Sequence, residues 1–354
     1  MNKVNQLSFA GQTIYCGLDA HKTNWKINGR MDDMEIISFS QNPDPALLKK
    51  HMDKNYPGAK IKVVYEAGFC GFGIQRSLQE LGVECIVVNA ADIPTTDKER
   101  KRKDDKRDAR KLSRELADGS LNTIYVPQQS MEHARSLVRQ RARLAKDQTR
   151  CKNRIKHLLM FSGLAIKSAE ERWSEKYIKE LLELDCGTQE LKSALYLAIE
   201  EYRQIRKVLK EATVLIKKLS GQEPFGEVQK YLQSIPGIGV INGMVIQTEL
   251  MDIERFKTLD SLCDYVGLVP DISSSNDITK VKGITHRCNG FVREAIIESS
   301  WTMMRKDPAM LMKYREYRKR MKENKAIIRI GKHLLSRIRH VWNNKIKYEM
   351  GVVA

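Results

Sequence analysis

Four acidic residues lie among neighbours that are otherwise mostly apolar or basic. Asp19 ends the β-rich run "TIYCGLD", and Glu66 ends the nearly continuous apolar run "IKVVYEA". Asp105 and Asp108 lie within the strongly basic stretch "KERKRKDDKRDARKL". A basic stretch that only holds phosphates needs no carboxylates, and a charge ending a buried strand is costly unless it has a role. These four residues are therefore the first candidates for chemistry.

The spacing of Asp105 and Asp108 places both side chains on one face of a helix, about 5–6 Å apart at Cβ. Two carboxylates that close repel each other unless a cation lies between them. Neighbouring lysines could supply that charge, and so could Mg²⁺, a hard ion that takes oxygen ligands. Ordinary ion pairs and helix caps would explain each acid taken singly. The order strand-Asp, strand-Glu, helix-Asp-x-x-Asp instead favours the ribonuclease-H-like fold, in which such acids bind two Mg²⁺ ions.

A second candidate site is the serine-containing segment "GLVPDISSSNDITKVKGITHRCNGFVREAI", residues 267–296. We predict that its three consecutive serines lie in a polar loop, where serines are normally ordinary turn residues. Arg287 and Arg293 follow at positions where they could hold a phosphate bound near the serines. A serine is a poor nucleophile without a base, a metal or strong polarisation of its target.

The elements that must position these residues begin with an α/β region over residues 13–125. Runs typical of strands lie at 13–19, 25–29, 35–39, 61–67 and 84–89, and helices are predicted after Asp44-Pro45, over "IQRSLQELG" and from the basic stretch to about Leu116. The pattern predicts a mixed sheet with flanking helices. The turn "GFCGFG" lacks both the Lys-Ser/Thr of a P-loop and the GxGxxG order, so we expect its glycines to bring the backbone close to Glu66 rather than to bind a nucleotide.

Residues 131–219 are predicted to be helical, with apolar residues at three- and four-residue steps. The first series is Leu137, Leu144, Cys151, Ile155 and Leu158; the second is Leu195, Ala198, Tyr202, Ile205, Leu209, Ala212, Ile216 and Leu219. The second series predicts a coiled-coil seam, used within an antiparallel hairpin or for oligomerisation. The basic polar face of the first helix is a further candidate for phosphate contact. After it, "IPGIG" at 235–239 suggests a helix–hairpin–helix element, which points backbone N–H groups at a phosphate.

The composition indicates a nucleic-acid partner. The chain has 354 residues and a formal net charge of +18. Aromatic residues make up 7%, which favours contact with the backbone of a structured nucleic acid over a base-stacking platform. We find no run long enough to span a membrane and no signal-peptide pattern. The seven cysteines include no CxxC pair, which indicates a reducing cytosol rather than a disulfide framework or zinc site, so we expect a cytoplasmic protein.

Several of these motifs together resemble a known family. "GLDAHK", "YEAGFCGFG" and "RKDDKRDARKL" resemble the three acidic motifs of the DEDD transposases of the insertion-sequence 110 family. The serine segment resembles that family's C-terminal transposase domain, and "IPGIG" also matches. The attacking serine aligns with Ser275; Asn276 replaces the glycine that usually follows, which leaves Ser274 as the alternative. Asp104 falls where a small polar residue is usual, so we assign it to ion pairing.

The resemblance implies a RuvC-like domain over 1–125, a helical coiled-coil arm over 126–223 and a serine-containing transposase domain over 224–354. It implies that Asp19, Glu66, Asp105 and Asp108 bind Mg²⁺, and that Ser275 attacks a DNA phosphate and forms a phosphoserine. It also implies a non-coding bridge RNA that pairs with donor and target DNA. Dimers would pair into a tetramer, in which the RuvC-like domain of one protomer completes its site with the serine domain of another.

The basic residues around these motifs are predicted to hold the nucleic acid: Lys101, Arg102, Lys103, Arg107, Arg287 and Arg293. Two other functions also fit the sequence. One is a RuvC-like, metal-dependent junction nuclease in which Ser275 is only structural. The other is a non-catalytic RNA-binding scaffold, which the basic helical arm supports.

Overall fold

The computed structural model describes residues 8–94, 105–164, 173–275 and 278–351; for 105–107, 272–275 and 278–282 it describes the backbone only. The chain divides into two compact units, Met1–Val126 and Pro127–Ala354. Within the described residues, no helix combines the length and apolar character that crossing a membrane requires.

The first unit is built on a five-stranded mixed sheet with the strand order β3-β2-β1-β4-β5. β1 pairs antiparallel with β2 and parallel with β4, β2 pairs antiparallel with β3, and β4 pairs parallel with β5. This confirms the predicted mixed α/β sheet, and the arrangement is consistent with a ribonuclease-H-like fold. The strands are β1 (Thr13–Ala20), β2 (Trp25–Met31), β3 (Met34–Gln41), β4 (Lys60–Glu66) and β5 (Glu84–Val88).

Helices cover both faces of this sheet: α1 (Pro45–Asn55), α2 (Gly73–Glu80) and α3 (Asp105–Ala117). One face of β1 packs with α1 and α2 in a core that contains Leu18, Met52 and Leu78. On the opposite face, Leu112 of α3 packs against Val64 and other apolar residues of β4 and β5. β4 is therefore buried on both sides, as its apolar run predicts. The predicted helix start after Asp44-Pro45 is also confirmed, because the Asp44 carboxylate accepts a hydrogen bond from the Ala46 N–H at 2.7 Å.

The second unit is mainly helical. Its helices are α4 (Gln129–Phe161), α5 (Glu175–Glu183), α6 (Gln189–Ser220), α7 (Gly226–Leu232), α8 (Val240–Leu250), α9 (Leu259–Val266), α10 (Gly290–Lys306), α11 (Pro308–Arg318) and α12 (Glu323–Asn344). Its main core joins α7–α12 with Ala134, Val138 and Ile216 from the two long helices. The arm and the C-terminal helices thus share a core, and a domain boundary near residue 223 stays a prediction.

The long helices α4 and α6 pack antiparallel, as one of the two sequence alternatives proposed. Arg141 contacts Thr213, whereas Cys151, further along α4, contacts Ala198, earlier in α6. On α6 the predicted positions Leu195, Tyr202, Ala212 and Ile216 are buried. On α4 the prediction was partly wrong, because Val138 and Leu159 are buried in place of Leu137 and Leu158. Neighbouring apolar residues leave the face of a helix ambiguous by one position.

The serine segment was predicted as a polar loop, and this was wrong. Residues Pro270–Ser275 form β6 and Ile278–Ile284 form β7, which pair antiparallel as a two-stranded sheet. Serine, aspartate and lysine have modest strand propensity, so the segment reads as a loop until its cross-strand pairing is known.

Candidate active site

Three of the four predicted carboxylates line one cleft in the first unit. Asp19, Glu66 and Asp108 border a cavity of about 150 Å³. The other lining residues are Leu18, Ala20, Ala67, Gly68, Phe69, Cys70 and Leu112. The structure thus brings together side chains that lie up to 89 positions apart in the chain.

The register of the sheet places Asp19 and Glu66 side by side. β1 and β4 run parallel, and the last pair in their register is Leu18 with Tyr65. Asp19 and Glu66 are the next residues along these strands, at their carboxyl ends. In open α/β sheets this is the edge where sites form. The Asp19 side chain is 19% exposed, and Glu66 is exposed.

Gly17 lets α3 approach the sheet closely enough to bring Asp108 to this edge. A Cβ at Gly17 would lie 2.0 Å from the Ala109 carbonyl oxygen and 2.5 Å from the Ser113 nitrogen. Only glycine permits so close a contact between helix and strand backbones. Gly17 and Asp19 point to the same face of β1 because strand side chains alternate. The glycine of "GLDAHK" is therefore a positioning element.

Two polar contacts hold α3 in this position. The Ser113 hydroxyl donates to Asn28 Oδ1 at 2.7 Å, and both residues are buried. Arg110 forms a two-point contact with Glu35, with Nε 2.6 Å from one carboxylate oxygen and Nη2 3.0 Å from the other. The hydrogen bond from Arg110 lowers the pKa of Glu35, although burial opposes the shift. These contacts connect α3 to β2 and β3.

Asp105 begins α3, one helical turn before Asp108. The predicted helix pair is thus confirmed as helical, while the side chains of Asp105 and Arg107 are outside what the structure describes. Asp104 and the predicted nucleic-acid ligands Lys101, Arg102 and Lys103 lie outside the described residues.

The donor set suits a hard divalent ion in its chemistry, because carboxylate oxygens are the ligands that Mg²⁺ prefers. Among the side chains described, however, no three His, Cys, Asp or Glu residues lie close enough together to hold a metal. Asp105 was not part of that set, since its side chain is not described. The structure therefore supports a shared carboxylate cleft, and the metal ligation of the four acids stays a prediction.

Sequence reasoning missed two residues at this cleft. His21 Nε2 lies 3.0 Å from Asp19 Oδ2, so an imidazole accompanies the strand-end carboxylate. The signal was available, because His21 stands two residues after Asp19 in "GLDAHK". Phe69 lines the cleft and is 71% exposed, although a large apolar residue is normally buried.

In the second unit, the candidate nucleophile ends a strand. Ser275 is the last residue of β6 and pairs with Ile278, the first residue of β7, while Ser274 pairs with Thr279. Both serines therefore lie at the end of the hairpin where the chain reverses. Their side chains, and residue Asn276, are outside the described set.

The base of this hairpin is fixed by the residues that flank it. Gly267 ends α9 with φ +76°, and a Cβ there would lie 2.3 Å from Cys288 Cβ. The Arg293 guanidinium donates to the Thr285 carbonyl at 2.7 Å. "GLVP" and "RCN", which the sequence separates, are therefore packed against each other.

A buried ionic network supports the same region. The fully buried Glu249 carboxylate accepts from Arg139 Nε at 2.6 Å and Nη2 at 2.8 Å, and from Asn289 Nδ2 at 2.8 Å. The hydrogen bonds from Arg139 to Glu249 raise the pKa of Arg139. Asn289 also caps α10, accepting from the backbone N–H of Phe291 and Val292. The network thus fixes the helix that follows the hairpin.

The hairpin separates the predicted phosphate-binding arginines from the serine. Arg287 is exposed in the segment after β7, and Arg293 contacts Thr285 beside the base of the hairpin. Ser275 lies five residue steps along β6 from this base at Pro270, which is about 17 Å of extended strand. We predicted that these arginines hold a phosphate next to Ser275. This stays a prediction, and the distance along the strand does not favour it within one chain. The "IPGIG" turn joins α7 and α8, with Gly239 at the N-cap of α8, and its phosphate contact also stays a prediction.

Comparison with known proteins gives the family. The transposase family DEDD_Tnp_IS110 matches residues 16–162, which contain the carboxylate cleft. The family described as Transposase IS116/IS110/IS902 matches residues 229–315, which contain the serine hairpin.

Individual relatives agree. The y4qE protein of Sinorhizobium fredii, which carries the name transposase, is 30% identical over 67% of this chain and 57% of its own length. The y4rJ protein of the same organism, also named as a transposase, is 27% identical over 77% of this chain and 74% of its own. The transposase for insertion sequence element IS1533 of Leptospira borgpetersenii is 26% identical over 68% of this chain and 70% of its own. The chain thus spans little more than half of the length of the first of these relatives. Both family matches and these relatives show that it belongs to the IS110 family of insertion-sequence transposases.

Proposed function

We propose that this protein is the transposase of an insertion sequence, which cuts and joins DNA by phosphoryl transfer. The observation that carries the proposal is the cleft in which Asp19, Glu66 and Asp108 meet at the carboxyl ends of β1 and β4. This cleft lies in the part of the chain that matches the DEDD transposases. The net charge of +18 supports a polyanionic substrate.

Asp19, Glu66, Asp105 and Asp108 would hold divalent metal, for which Mg²⁺ is our proposed ion. When bound there, such an ion would supply polarisation of a phosphate oxygen and stabilisation of charge on the attacking and leaving oxygens. The contribution of the chain itself is to place the carboxylates. The parallel register of β1 and β4 places Asp19 beside Glu66, and Gly17 admits the helix that carries Asp108.

The proposed nucleophile is Ser275. Its Oγ attacks the phosphorus of a DNA phosphodiester, so that an O–P bond to serine forms and one bridging P–O bond to deoxyribose breaks. The serine loses its proton, and the departing deoxyribose oxygen takes one up. A hydroxyl of the partner strand then attacks the phosphoserine, which forms the new phosphodiester and returns Ser275 to its starting state. The match of residues 229–315, which contain Ser275, to the family described as Transposase IS116/IS110/IS902 supports this role.

The proposed partners are donor DNA, target DNA and a non-coding bridge RNA that pairs with both. A basic chain with 7% aromatic residues is suited to backbone and shape contacts, which leave sequence choice to base pairing. Dimers that pair into a tetramer would let the carboxylates of one protomer act with the serine of another.

The test is recombination of donor and target DNA in the presence of RNA transcribed from the element's non-coding DNA. We expect Asp105→Asn to abolish recombination while RNA binding stays intact, and the control Asp118→Asn, an exposed residue after α3, to remain active. Full activity of Asp105→Asn would contradict the proposal. If Ser275→Ala lost strand transfer but still cleaved DNA, the result would instead indicate a metal-dependent nuclease.

A further inference from the structure

Positive charge is concentrated near the C-terminus of the chain. Residues 305–347 contain 15 lysines and arginines and three acids, a net charge of +12 out of the +18 of the whole chain. Much of this charge lies on α11, on the beginning of α12 and on the short connection between them. We call residues 308–332 the basic hairpin.

The acids of this region do not neutralise it. Asp307 is fully buried, where it caps α11 and accepts a hydrogen bond from the Tyr348 hydroxyl. Glu316 pairs with Lys313 at 3.8 Å and with Arg320 at 3.1 Å. Glu323, the third acid, lies in the first turn of α12 and hydrogen-bonds with Tyr314. A further five cations are exposed, and none has a carboxylate of the described residues within salt-bridge distance: Arg315, Lys319, Lys322, Lys325 and Arg329.

The basic hairpin is held in a defined shape. The Tyr317 hydroxyl of α11 lies 2.8 Å from His333 Nε2 of α12, and the two rings stack with centroids 6.0 Å apart. The Arg318 guanidinium donates to the Met321 carbonyl at 3.0 Å, which closes the connection. Apolar residues of α10, α11 and α12 form a small cluster beneath it: Met304, Ile327, Ile330, Trp301, Leu311, Tyr314 and Tyr317. The cations are therefore presented by packed helices rather than by a loose tail.

The spacing of the cations matches a polyanion. Lys322, Lys325 and Arg329 follow at steps of three and four, so they lie along one face and span about 10 Å of helix. Like charges at this spacing destabilise a helix unless opposite charge lies nearby. The pKa of His333 also reflects the positive surroundings. Burial is the largest cause that lowers this pKa, and the nearby cations Arg337, Lys313 and Arg329 lower it further. Since the aromatic rings pack inward, the surface offers cations without a stacking platform, which favours duplex over single strand.

We propose that the basic hairpin binds the phosphate backbone of the DNA duplex on which this transposase acts. The proposal rests on the proposed function for its substrate, but it concerns binding and not chemistry. The transposase families match residues 16–162 and 229–315, so α12 lies outside both matches. The surface is thus assigned from its own charge, exposure and packing.

The experiment compares full-length wild type with the triple variant Lys322→Gln, Lys325→Gln, Arg329→Gln. Binding to a duplex of random sequence is measured in EDTA over a range of salt concentrations. The plot of log K against log salt concentration has a slope whose magnitude falls by about 0.9 for each phosphate contact that is lost. For three lost contacts we expect a slope whose magnitude is smaller by about 2.7. We also expect at least about a tenfold loss of affinity near 0.15 M salt.

The matched control is Lys207→Gln, Lys210→Gln, Lys217→Gln on α6, which removes three exposed cations and the same charge. Its slope should stay near that of wild type. Equal effects of the two triples would overturn the proposal, as would a loss of RNA affinity with duplex DNA affinity unchanged. The double variant Arg315→Gln, Lys319→Gln, on α11 and the connection, is a second test in case the first triple alters folding. It should also lower the affinity for duplex DNA and its salt dependence. Duplex binding in EDTA requires no serine chemistry, so failure of that chemistry is distinguishable from failure of this surface.

Discussion

At the scale of single residues, the site depends on where the sheet ends. Asp19 and Glu66 end strands whose other residues are mostly buried, and Asp108 reaches the same cleft from α3. Acids at such positions tend to repel each other, and a divalent cation would offset that repulsion. The chemistry therefore follows from three carboxylates on three elements, with His21 contacting one of them.

We predict that Asp108→Asn raises the Mg²⁺ concentration needed for half-maximal DNA cleavage by at least about tenfold, the lower end of what loss of an outer-shell partner costs. The reason is the loss of one anionic ligand from the cleft. The measurement is a Mg²⁺ titration of cleavage, with Asp118→Asn as the control of equal charge change. An unchanged Mg²⁺ requirement would show that Asp108 does not contribute to metal binding.

At the scale of elements, the docking of α3 on β1 decides whether the carboxylates meet. The close contact at Gly17, the buried Ser113–Asn28 hydrogen bond and the Arg110–Glu35 pair all fix this helix. In the second unit, the packing of Gly267 against Cys288 likewise fixes the base of the β6–β7 hairpin.

We predict that Gly17→Ala destabilises the protein by about 1–3 kcal/mol, the usual cost of overpacking, and lowers cleavage by displacing Asp108. The new methyl group would otherwise overlap the Ala109 carbonyl. Urea denaturation and a cleavage assay test this together. Gly73→Ala is the control, because a Cβ at Gly73 meets no atom within 4 Å. Equal behaviour of both variants would contradict the positioning role of Gly17.

We predict that the stability of the α11–α12 pair falls as the pH decreases below about 6.5, the ordinary value for histidine. Burial and nearby cations lower the pKa of His333 in the folded protein, so the unfolded chain binds the proton more readily. The contribution is fully present above the unfolded pKa and is lost as the pH falls through the folded one. Urea midpoints of wild type and His333→Gln should show a difference that shrinks on acidification; a pH-independent difference would contradict this.

The elements differ in how well the sequence predicts them. β1, β4 and α3 were predicted with their carboxylates because apolar runs and helical spacing are local signals. The β6–β7 hairpin was not, since "DISSSNDITKVKG" has few strand-forming residues and its pairing is visible only across the turn. The contacts of Glu249 with Arg139 and Asn289 join residues 110 and 40 positions apart, which no local pattern reveals.

At the scale of the whole molecule, the two halves of the proposed chemistry lie in different compact units. The carboxylate cleft belongs to Met1–Val126, and Ser275 belongs to Pro127–Ala354. The proposed reaction therefore requires these units, from one copy or from two, to meet at one phosphate. Most of the excess positive charge lies in residues 305–347, within the second unit. We therefore expect this unit to bind nucleic acid independently of the carboxylate cleft.

We predict that inactive Asp105→Asn and Ser275→Ala chains complement each other when they are mixed. If each site combines the carboxylates of one protomer with the serine of another, a mixed dimer contains one intact site. Random mixing should then restore roughly a quarter of wild-type cleavage. The measurement is cleavage by the two variants together and separately. No recovery in verified mixed oligomers would place both halves of the site in one chain.

The central claim is that Ser275 becomes covalently attached to DNA, and trapping that attachment tests it most directly. Donor DNA, target DNA, guide RNA and Mg²⁺ are incubated with the protein, the reaction is stopped with denaturant, and peptides joined to nucleotide are identified by mass spectrometry. We predict an adduct at Ser275 in wild type, retained by Ser274→Ala and absent from Ser275→Ala, which should also lose strand transfer. Strand transfer by Ser275→Ala, or recombination by wild type without any adduct, would contradict the claim.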